Sequence, residues 1–339
     1  CRGPHIANTG KIKAFKLTKI AAAYWRGDAK NTQLQRIYGI SFAERGQLDA
    51  HLKLIEEAEK RDHRKLGKEL EWFDFLVESP GAPFFYPKGT IIYNQLISFI
   101  RNEYKKRGYQ EVITPLLYEK SLWLTSGHWE HFREHMFALE SEGKEYALKP
   151  MNCPSHVLIY KSKSRSYKDL PLRIADFAPL HRNELSGVLA GLTRVRKMSQ
   201  DDSHIFIAPE QIEDEIFRVL DFTHYIYKEV FDFDYKVELS TKPEKYMGEI
   251  EDWNKAEESL KKALDKKNIK YEIKSGEGAF YGPKIDFHIK DAIGRDWQLA
   301  TIQLDFQLPG RFDATYIGHD NSKHNVVLIH RALLGSVER

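Results

Sequence analysis

The chain carries, at Phe177-Ala178-Pro179-Leu180-His181-Arg182-Asn183-Glu184, the pattern that indicates its fold most strongly. A loop with Gly187 and Gly191 follows, and the chain returns through Arg194-Val195-Arg196 to Gln200-Asp201-Asp202-Ser203-His204. This predicts two antiparallel strands joined by a loop, which would place Arg182 and Arg194 side by side. Two guanidinium groups lie together favourably where an anion separates them, and the arginine fork fits phosphate oxygens. Surface salt bridges to Glu184 and Asp201 are the alternative interpretation.

A cysteine lies between helix-breaking residues upstream of this segment, in Lys149-Pro150-Met151-Asn152-Cys153-Pro154. We expect a loop that presents the sulfur of Cys153 sideways. Taken alone, the pattern favours a buried structural cysteine, because free cysteine is among the most buried residue types. The sequence has only one other cysteine, Cys1, so a disulfide framework is not expected and a reducing, cytoplasmic setting is favoured.

The chain closes with Leu328-Ile329-His330-Arg331-Ala332-Leu333-Leu334-Gly335-Ser336-Val337-Glu338-Arg339. This predicts an apolar strand that enters a helix, with Gly335 allowing close approach of the backbone. Because the sequence has fourteen histidines, His330 taken alone is more simply a core or surface histidine than a ligand.

The rest of the chain mixes helical and strand patterns without a regular repeat. Residues 1–44 mix short apolar runs with turn signals and show no long amphipathic period. A charged helix is predicted from Glu44 to Phe73, and a new domain is established by about residue 85. Further helices are predicted at 90–107, 208–230 and 251–267, and strands at 109–116, 173–181, 203–207, 235–240, 270–274, 284–290, 296–304 and 325–330. This irregular order indicates an α+β fold with an antiparallel sheet rather than a doubly wound one.

Composition is that of a globular protein with a large core, since 42% of the residues are hydrophobic and 30% are charged. The sequence has no apolar run of about 18 residues, so no membrane association is expected. The net charge of +3 permits a nucleic acid as a partner without requiring one.

Together, the three segments resemble the signature motifs of the class II aminoacyl-tRNA synthetases, in the version typical of threonyl-tRNA synthetases. Motif 1 resembles residues 108–124, with Pro115 at its strand, motif 2 resembles 177–184 with its returning strand, and motif 3 resembles 326–339. The resemblance covers essentially the whole chain and is most specific around Cys153, His204 and His330. It implies an antiparallel sheet flanked by helices and a homodimer formed through motif 1.

The resemblance further implies that Cys153, His204 and His330 bind one Zn²⁺ in the catalytic site. In the family, the open positions of this metal hold the amino and hydroxyl groups of L-threonine. Such a site rejects valine, which has no hydroxyl group, but separates serine from threonine by only one methyl group. An editing site is therefore expected elsewhere in the family's architecture.

The resemblance also implies a reaction in two steps. Threonine is activated by ATP with Mg²⁺ and is then transferred to tRNA(Thr). Arg182 is expected at the α-phosphate, Glu184 at the adenine amino group, and Arg194 and Arg339 at the γ-phosphate end. Asp202, Tyr281, Gln303 and Met151 are expected around threonine, and Lys284 and Gln298 near its carboxylate and the phosphates. His128 matches a histidine implicated in proton removal from the terminal ribose of tRNA. A loop histidine satisfied by a hydrogen bond is the alternative.

The domains implied by the resemblance are an editing-domain remnant at 1–44, a linker helix at 45–75 and a catalytic domain at 76–339. Cys1 and His5 match half of the editing cluster, so we expect no editing by this chain. Because the resemblance ends within motif 3, we expect adenylate formation with weak charging of tRNA.

Three positions depart from the family pattern. Met198 stands where an aromatic residue normally stacks on adenine, and Lys197 and Ser155 each replace a usual glycine.

A regulatory paralogue without catalysis, or a seryl or prolyl synthetase, is the alternative class of protein. The presence of Arg182, Arg339 and the three metal-ligand candidates argues against these alternatives.

Overall fold

The computed structural model describes residues 4–28 and 30–339, which form two compact units divided between Asp62 and His63. Cys1, half of the predicted editing pair, lies outside the described residues, and His5 is exposed. Across the described residues, no helix combines the length and apolar character needed to cross a bilayer.

The first unit contains a long antiparallel hairpin of β1 (Ala14–Tyr24) and β2 (Gln33–Phe42), followed by helix α1 (Arg45–Lys60). The hairpin was not predicted from the sequence of residues 1–44, which shows no long amphipathic period. Apolar side chains such as Phe15, Ile20 and Ile37 are exposed in this hairpin, and the in-out alternation that normally marks a strand is weak.

The predicted helix from Glu44 to Phe73 is interrupted. α1 ends at Lys60, and a separate helix α2 (His63–Glu69) begins after Asp62. Aspartate is favoured directly before a helix, because its carboxylate can accept hydrogen bonds from free backbone N–H groups. The helical pattern was thus recognised correctly, but its break was not.

The second unit contains the remaining elements. Its helices are α3 (Pro87–Lys106), α4 (Lys120–Thr125), α5 (His128–His131), α6 (Cys153–Lys161), α7 (Ile212–His224, continued by a π-helical turn to Val230), α8 (Ile250–Lys266) and α9 (Leu308–Arg311). Its strands are β3 (Phe73–Asp74), β4 (Phe84–Phe85), β5 (Gln110–Glu111), β6 (Leu117–Glu119), β7 (Ala138–Ser141), β8 (Lys144–Leu148), β9 (Leu172–Asp176), β10 (Pro179–His181), β11 (Lys197–Ser199), β12 (Asp202–Ile207), β13 (Tyr235–Ser240), β14 (Tyr271–Lys274), β15 (Lys284–Lys290), β16 (Asp296–Asp305), β17 (Thr315–Ile317), β18 (Lys323–Asn325) and β19 (Val327–Ala332).

Eight strands form the central sheet in the order β14-β13-β15-β16-β19-β12-β9-β5. The pairs from β13 to β9 are antiparallel, which confirms the predicted α+β fold, whereas the outer pairs β13/β14 and β9/β5 are parallel. The parallel pair β13/β14 is connected through α8, because parallel neighbours need a crossover rather than a tight turn.

The two faces of the sheet are covered differently. Ile205, Ile207, Val327 and Ile329 pack with buried residues of α3, α7 and α8 in one core cluster. The alternate residues Phe206 and Leu328 belong to a second cluster with α6. Since successive side chains of a strand point to opposite faces, His204 and His330 lie on the α6 side.

A buried polar network ties α3 to the centre of the sheet. The Tyr104 hydroxyl donates to Asp201 Oδ2 at 2.9 Å, and Arg331 Nη1 donates to that hydroxyl at 2.6 Å. The backbone N–H groups of Leu333 and Leu334 donate to the two carboxylate oxygens of Asp201. This network fixes the chain directly after β19, where residues 333–339 form bends and turns rather than the predicted helix.

Two predicted strands are also shorter than expected. The strand predicted at 109–116 pairs only at Gln110–Glu111, and the strand predicted at 173–181 divides into β9 and β10, which belong to different sheets. At the division, the backbone N–H of Ala178 donates to Asp176 Oδ1 at 2.8 Å. This side-chain hydrogen bond replaces a ladder hydrogen bond and lets the chain turn.

Gly89, in the first turn of α3, provides a test of the packing. A Cβ atom there would lie 2.0 Å from the carbonyl oxygen of Trp72, whereas a Cβ atom at Gly310 in α9 would meet nothing within 4 Å. We expect Gly89→Ala to lower the free energy of unfolding by about 1–3 kcal/mol. Gly310→Ala should raise it by about 0.4–1 kcal/mol. Urea denaturation of both variants measures this, and equal stability of the two would contradict the structure.

Candidate active site and metal centre

The three predicted metal ligands converge. The register of β12 and β19 pairs His204 directly with His330, and Cys153 begins α6, which covers this face of the sheet. One ligand atom of each residue lies within 4.8 Å of the others, and all three residues are buried. Cys153 is thus the first residue of a helix rather than part of a loop, where the positive end of the helix dipole favours a thiolate.

The two histidines turn one nitrogen each toward a common point. His204 Nε2 lies 3.0 Å from His330 Nδ1. Their other nitrogens are held from behind, since His330 Nε2 lies 2.9 Å from Asp305 Oδ2 and His204 Nδ1 lies 2.8 Å from His156 Nδ1. Histidine metal ligands characteristically have such outer partners, which fix the ring and the tautomer.

The chemistry of these donors fits a zinc ion. Burial raises the pKa of the Cys153 thiol, and nearby Asp202 and Asp305 raise it further. Burial also lowers the pKa of His204, as do His330 and His156, so the ring is neutral and keeps a lone pair. One sulfur and two imidazole nitrogens are a donor set typical of zinc, and a fourth position is left for another ligand. A bound cation would offset the cost of ionising the buried thiol.

The predicted threonine-binding residues surround this centre. The ring of Tyr281 stacks on His330 with 4.7 Å between centroids, and its hydroxyl donates to Gln303 Oε1 at 2.5 Å. Asp202 accepts a hydrogen bond of 2.9 Å from the Asn152 side chain. Met151 lies beside Cys153 on the wall of the same cavity.

The cavity extends from the metal-ligand candidates to Arg339 and has a volume of about 1010 Å³. Apart from His128, every predicted site residue lines it: Met151, Cys153, Arg182, Glu184, Arg194, Asp202, His204, Tyr281, Lys284, Gln298, Gln303, His330 and Arg339. The volume is at the upper end of the range for small-molecule sites. The structure therefore brings together residues that are up to 188 positions apart, from Met151 to Arg339.

The two motif 2 arginines differ from their predicted arrangement. β10 and β11 are antiparallel, but the backbone N–H of Arg182 donates to the carbonyl of Arg196, so Arg182 faces Arg196 rather than Arg194. Arg194 lies on the connecting loop and donates to Glu184 Oε2 at 2.8 Å. The alternative of a salt bridge to Glu184 is confirmed for Arg194. The predicted salt bridge to Asp201 is wrong, because the Asp201 carboxylate contacts Tyr104 and Arg331 instead.

A β-bulge aligns Lys284 and Gln298 in the same wall. The register changes from Asp286 opposite Thr301 to His288 opposite Gln298, so β16 has one extra residue. In a regular strand, residues three positions apart such as Gln298 and Thr301 would point to opposite faces. With the bulge, Asp286 Oδ1 accepts from both Gln298 and Thr301, at 2.6 and 3.1 Å, while Oδ2 accepts from Lys284 at 2.6 Å.

His128 is placed differently from the other predicted residues. Its side chain is fully buried, with Nδ1 2.8 Å from Ser126 Oγ and Nε2 3.2 Å from Met151 Sδ. Burial, together with the charges of His330 and Arg182, lowers its pKa to about 3. The contact with Ser126 is the kind of hydrogen bond expected if His128 is a structural histidine. The role of His128 in proton removal from tRNA stays a prediction.

Sequence reasoning missed the residues that support the site from behind: His156, Asp176, Asp286 and Asp305. For Asp286 a signal was available, because Lys284-Ile285-Asp286-Phe287-His288 alternates polar and apolar residues as a half-buried strand does. For His156 and Asp305 no local pattern marks the contact, since their partners His204 and His330 are distant in sequence.

Comparison with known proteins agrees with this geometry. The family described as tRNA synthetase class II core domain (G, H, P, S and T) matches residues 137–339. The family described as Threonyl and Alanyl tRNA synthetase second additional domain matches residues 1–38. The prediction of a class II fold from the sequence is thereby confirmed.

Individual relatives point to one branch of this family. The threonine–tRNA ligases of Caldanaerobacter subterraneus subsp. tengcongensis and Acetivibrio thermocellus are 56% and 57% identical over 339 residues, which is 100% of this chain and 52% and 53% of those proteins. The chain thus spans about half the length of the curated relatives that it matches. A crystal structure of the RNA-binding domain of threonyl-tRNA synthetase from Cryptosporidium parvum Iowa II is 51% identical, with a TM-score of 0.81 over 82% of this chain and 70% of that chain.

The synthetase core accounts for more than half of the chain, and the threonyl-type relatives match it along its whole length. The chain therefore belongs to the threonyl-tRNA synthetase family of the class II aminoacyl-tRNA synthetases.

Proposed function

We propose that this chain is the catalytic part of a threonine–tRNA ligase, which forms threonyl-adenylate from threonine, ATP and Mg²⁺ and then transfers threonine to tRNA(Thr). The convergence of Cys153, His204 and His330 at one end of a cavity with arginines at the other is the observation that carries this proposal. A donor set for a metal and a set of cations for a triphosphate fit the two substrates from which an aminoacyl-adenylate forms.

The threonine end of the cavity is formed by Asp202, Tyr281 and Gln303 beside the three metal ligands. When bound, zinc supplies Lewis-acid positions that recognise the amino and hydroxyl groups of threonine. The carboxylate of Asp202 adds a hydrogen-bond acceptor for the amino group of threonine. Tyr281 and Gln303, already joined by a hydrogen bond, present a rigid wall to the small side chain.

The ATP end depends on Arg182. Its Nε donates to the Pro150 carbonyl at 3.3 Å, and the terminal nitrogens of the guanidinium, which lines the cavity, have no hydrogen-bond partner among the described residues. A planar fork positioned in advance can bind the α-phosphate and stabilise the charge that develops as the threonine carboxylate displaces pyrophosphate in line. Lys284 and Gln298, both held by Asp286, are proposed to orient the reacting carboxylate and phosphate.

Arg194 and Glu184 must separate for their proposed roles at the γ-phosphate and the adenine amino group. Their salt bridge is 2.8 Å long, with the Arg194 side chain 55% exposed and the Glu184 side chain 9% exposed. Because a buried carboxylate left without a partner is costly, the adenine amino group must take the place of Arg194 at Glu184 as the pair separates. Arg339, stacked over Trp297 at 5.2 Å, is the second proposed contact at the γ-phosphate end.

The remaining proposals concern the larger protein. We propose residues 1–44 as part of an editing domain, 45–75 as a linker and 76–339 as the catalytic domain of a cytoplasmic homodimer. The match of residues 1–38 to the second additional domain supports the first assignment. His128 is proposed to assist transfer to tRNA from its place behind Met151.

Amino-acid selectivity tests the proposed substrate. With an amino-acid panel in ATP–pyrophosphate exchange, we expect threonine to be best, serine to be lower by roughly 10 to 200-fold, and valine to be lower by roughly 10⁴-fold or more. The missing methyl group of serine costs little, whereas valine leaves polar groups of the site unpaired. A higher rate with serine or proline than with threonine would refute the proposal.

The metal assignment is tested by Cys153→Ser. We expect about one zinc per chain in the unmodified protein and a loss of zinc affinity larger than the roughly 10 to 100-fold typical of outer-shell substitutions. Threonine-dependent exchange should fall with zinc content. Ser162→Ala, just beyond the other end of α6, is the matched control, and intact exchange in a zinc-free Cys153→Ser protein would contradict the assignment.

The role of Arg182 is tested by Arg182→Lys, which keeps the charge but removes the fork. We expect kcat for exchange to fall roughly 10²- to 10³-fold, the range found for loss of one transition-state donor. The exposed Arg218, changed to lysine, should leave exchange unchanged. An effect of Arg182→Lys confined to the KM for ATP would mean that Arg182 only binds the nucleotide.

A further inference from the structure

His156 lies directly behind the predicted metal ligand His204 and is fully buried. The Nδ1 atoms of the two rings are 2.8 Å apart, and the rings are nearly perpendicular, at 86°. His156 does not line the cavity, so it contacts neither of the proposed substrates. Its position nevertheless determines which nitrogen of His204 is available.

The contact between the two Nδ1 atoms accommodates a single proton. His204 Nε2 is the nitrogen that faces His330 Nδ1, so it must carry a lone pair to bind a metal. A neutral imidazole with a lone pair on Nε2 carries its proton on Nδ1. His204 then donates to His156 Nδ1, and the proton of His156 must lie on Nε2.

The Nε2 atom of His156 faces an anion. It lies 3.8 Å from Asp176 Oδ2 and has no hydrogen-bond partner among the described residues. Asp176 also accepts from the Thr114 hydroxyl at 2.7 Å, and the buried ammonium of Lys149 lies 3.4 Å away. Burial opposes ionisation of Asp176, but its contacts with His156, Thr114 and Lys149 together hold its pKa below the ordinary value.

The two histidine ligands are thus supported by carboxylates in two different ways. Asp305 contacts His330 directly at 2.9 Å, whereas Asp176 lies one histidine further from His204. Both lines of contacts run from an anion through protonated nitrogens to an unprotonated nitrogen at the metal site. This is the arrangement by which outer partners orient a ligand and raise its basicity.

We propose that His156 is a positioning residue that accepts the Nδ1 proton of His204 and, anchored by Asp176, fixes the ring and tautomer through which His204 binds the metal. This inference rests on the proposed metal site. It assigns no catalytic contact to His156, so its effect is on the affinity for zinc rather than on a step of the reaction.

Zinc affinity of two His156 variants, measured by competition with a chromophoric chelator, tests the inference. His156→Leu removes the acceptor, and we expect roughly 10 to 100-fold weaker zinc binding. His156→Asn keeps an oxygen near the position of Nδ1, and its affinity should stay within a few-fold of the unmodified protein. His224→Leu, at the exposed end of α7, is the control and should not change zinc binding.

A second measurement needs no variant. In ¹⁵N-labelled zinc-bound protein, long-range ¹H–¹⁵N correlation spectra should show His204 protonated on Nδ1 and His156 protonated on Nε2. A proton on Nδ1 of His156 would overturn the inference even if the leucine variant failed to fold. So would unchanged zinc affinity of a folded His156→Leu protein, or equal losses for leucine and asparagine. If the unmodified folded protein binds no zinc, the proposed metal site itself fails, which is a distinguishable result.

Discussion

The antiparallel register that sets His204 opposite His330 is the constraint on which the rest of the site depends. Because side chains alternate along a strand, this register also places Phe206 and Leu328 under α6, and Ile205 and Ile329 against the helices of the other face. A slip of either strand by one residue would turn the histidine of that strand into the apolar core. The same hydrophobic pattern that stabilises the sheet therefore brings the proposed metal ligands together.

The register extends the site to neighbouring strands. β16 pairs with β19 so that Gln303 lies opposite His330, and β15 pairs with β16 so that Lys284 lies opposite Gln303. Strands that are far apart in sequence thus form a continuous polar surface on one side of the sheet. The helix α6 closes its edge and supplies Cys153.

The sequence was sufficient for the parts of the structure that local patterns encode. The helices near 90–107 and 251–267, the strand of His204 and the antiparallel arrangement of the central strands follow from apolar periodicity. The likeness of three short motifs to a known family, rather than periodicity, grouped Cys153 with His204 and His330. Each of these residues alone favoured a structural role.

The parts that the sequence did not predict arise from tertiary contacts. Arg182 faces Arg196 because the register of β10 and β11 depends on a loop whose path no local pattern fixes. The turn after Ala332 replaces the predicted helix because Asp201 binds the N–H groups of Leu333 and Leu334. His156 and Asp176 support His204 through contacts between separate elements, which single-residue preferences cannot show.

The bulge in β16 ties one spacing in the sequence to one register of the sheet. Gln298 and Thr301 are three positions apart, and in a regular strand such residues point to opposite faces. Asp286 binds both only because the bulge takes up one residue between them. Loss of the bulge alone would turn one partner away and leave Asp286 with fewer donors. A one-residue deletion between the two partners would restore the shared face of a regular strand, so the two changes compensate for each other only when they occur together.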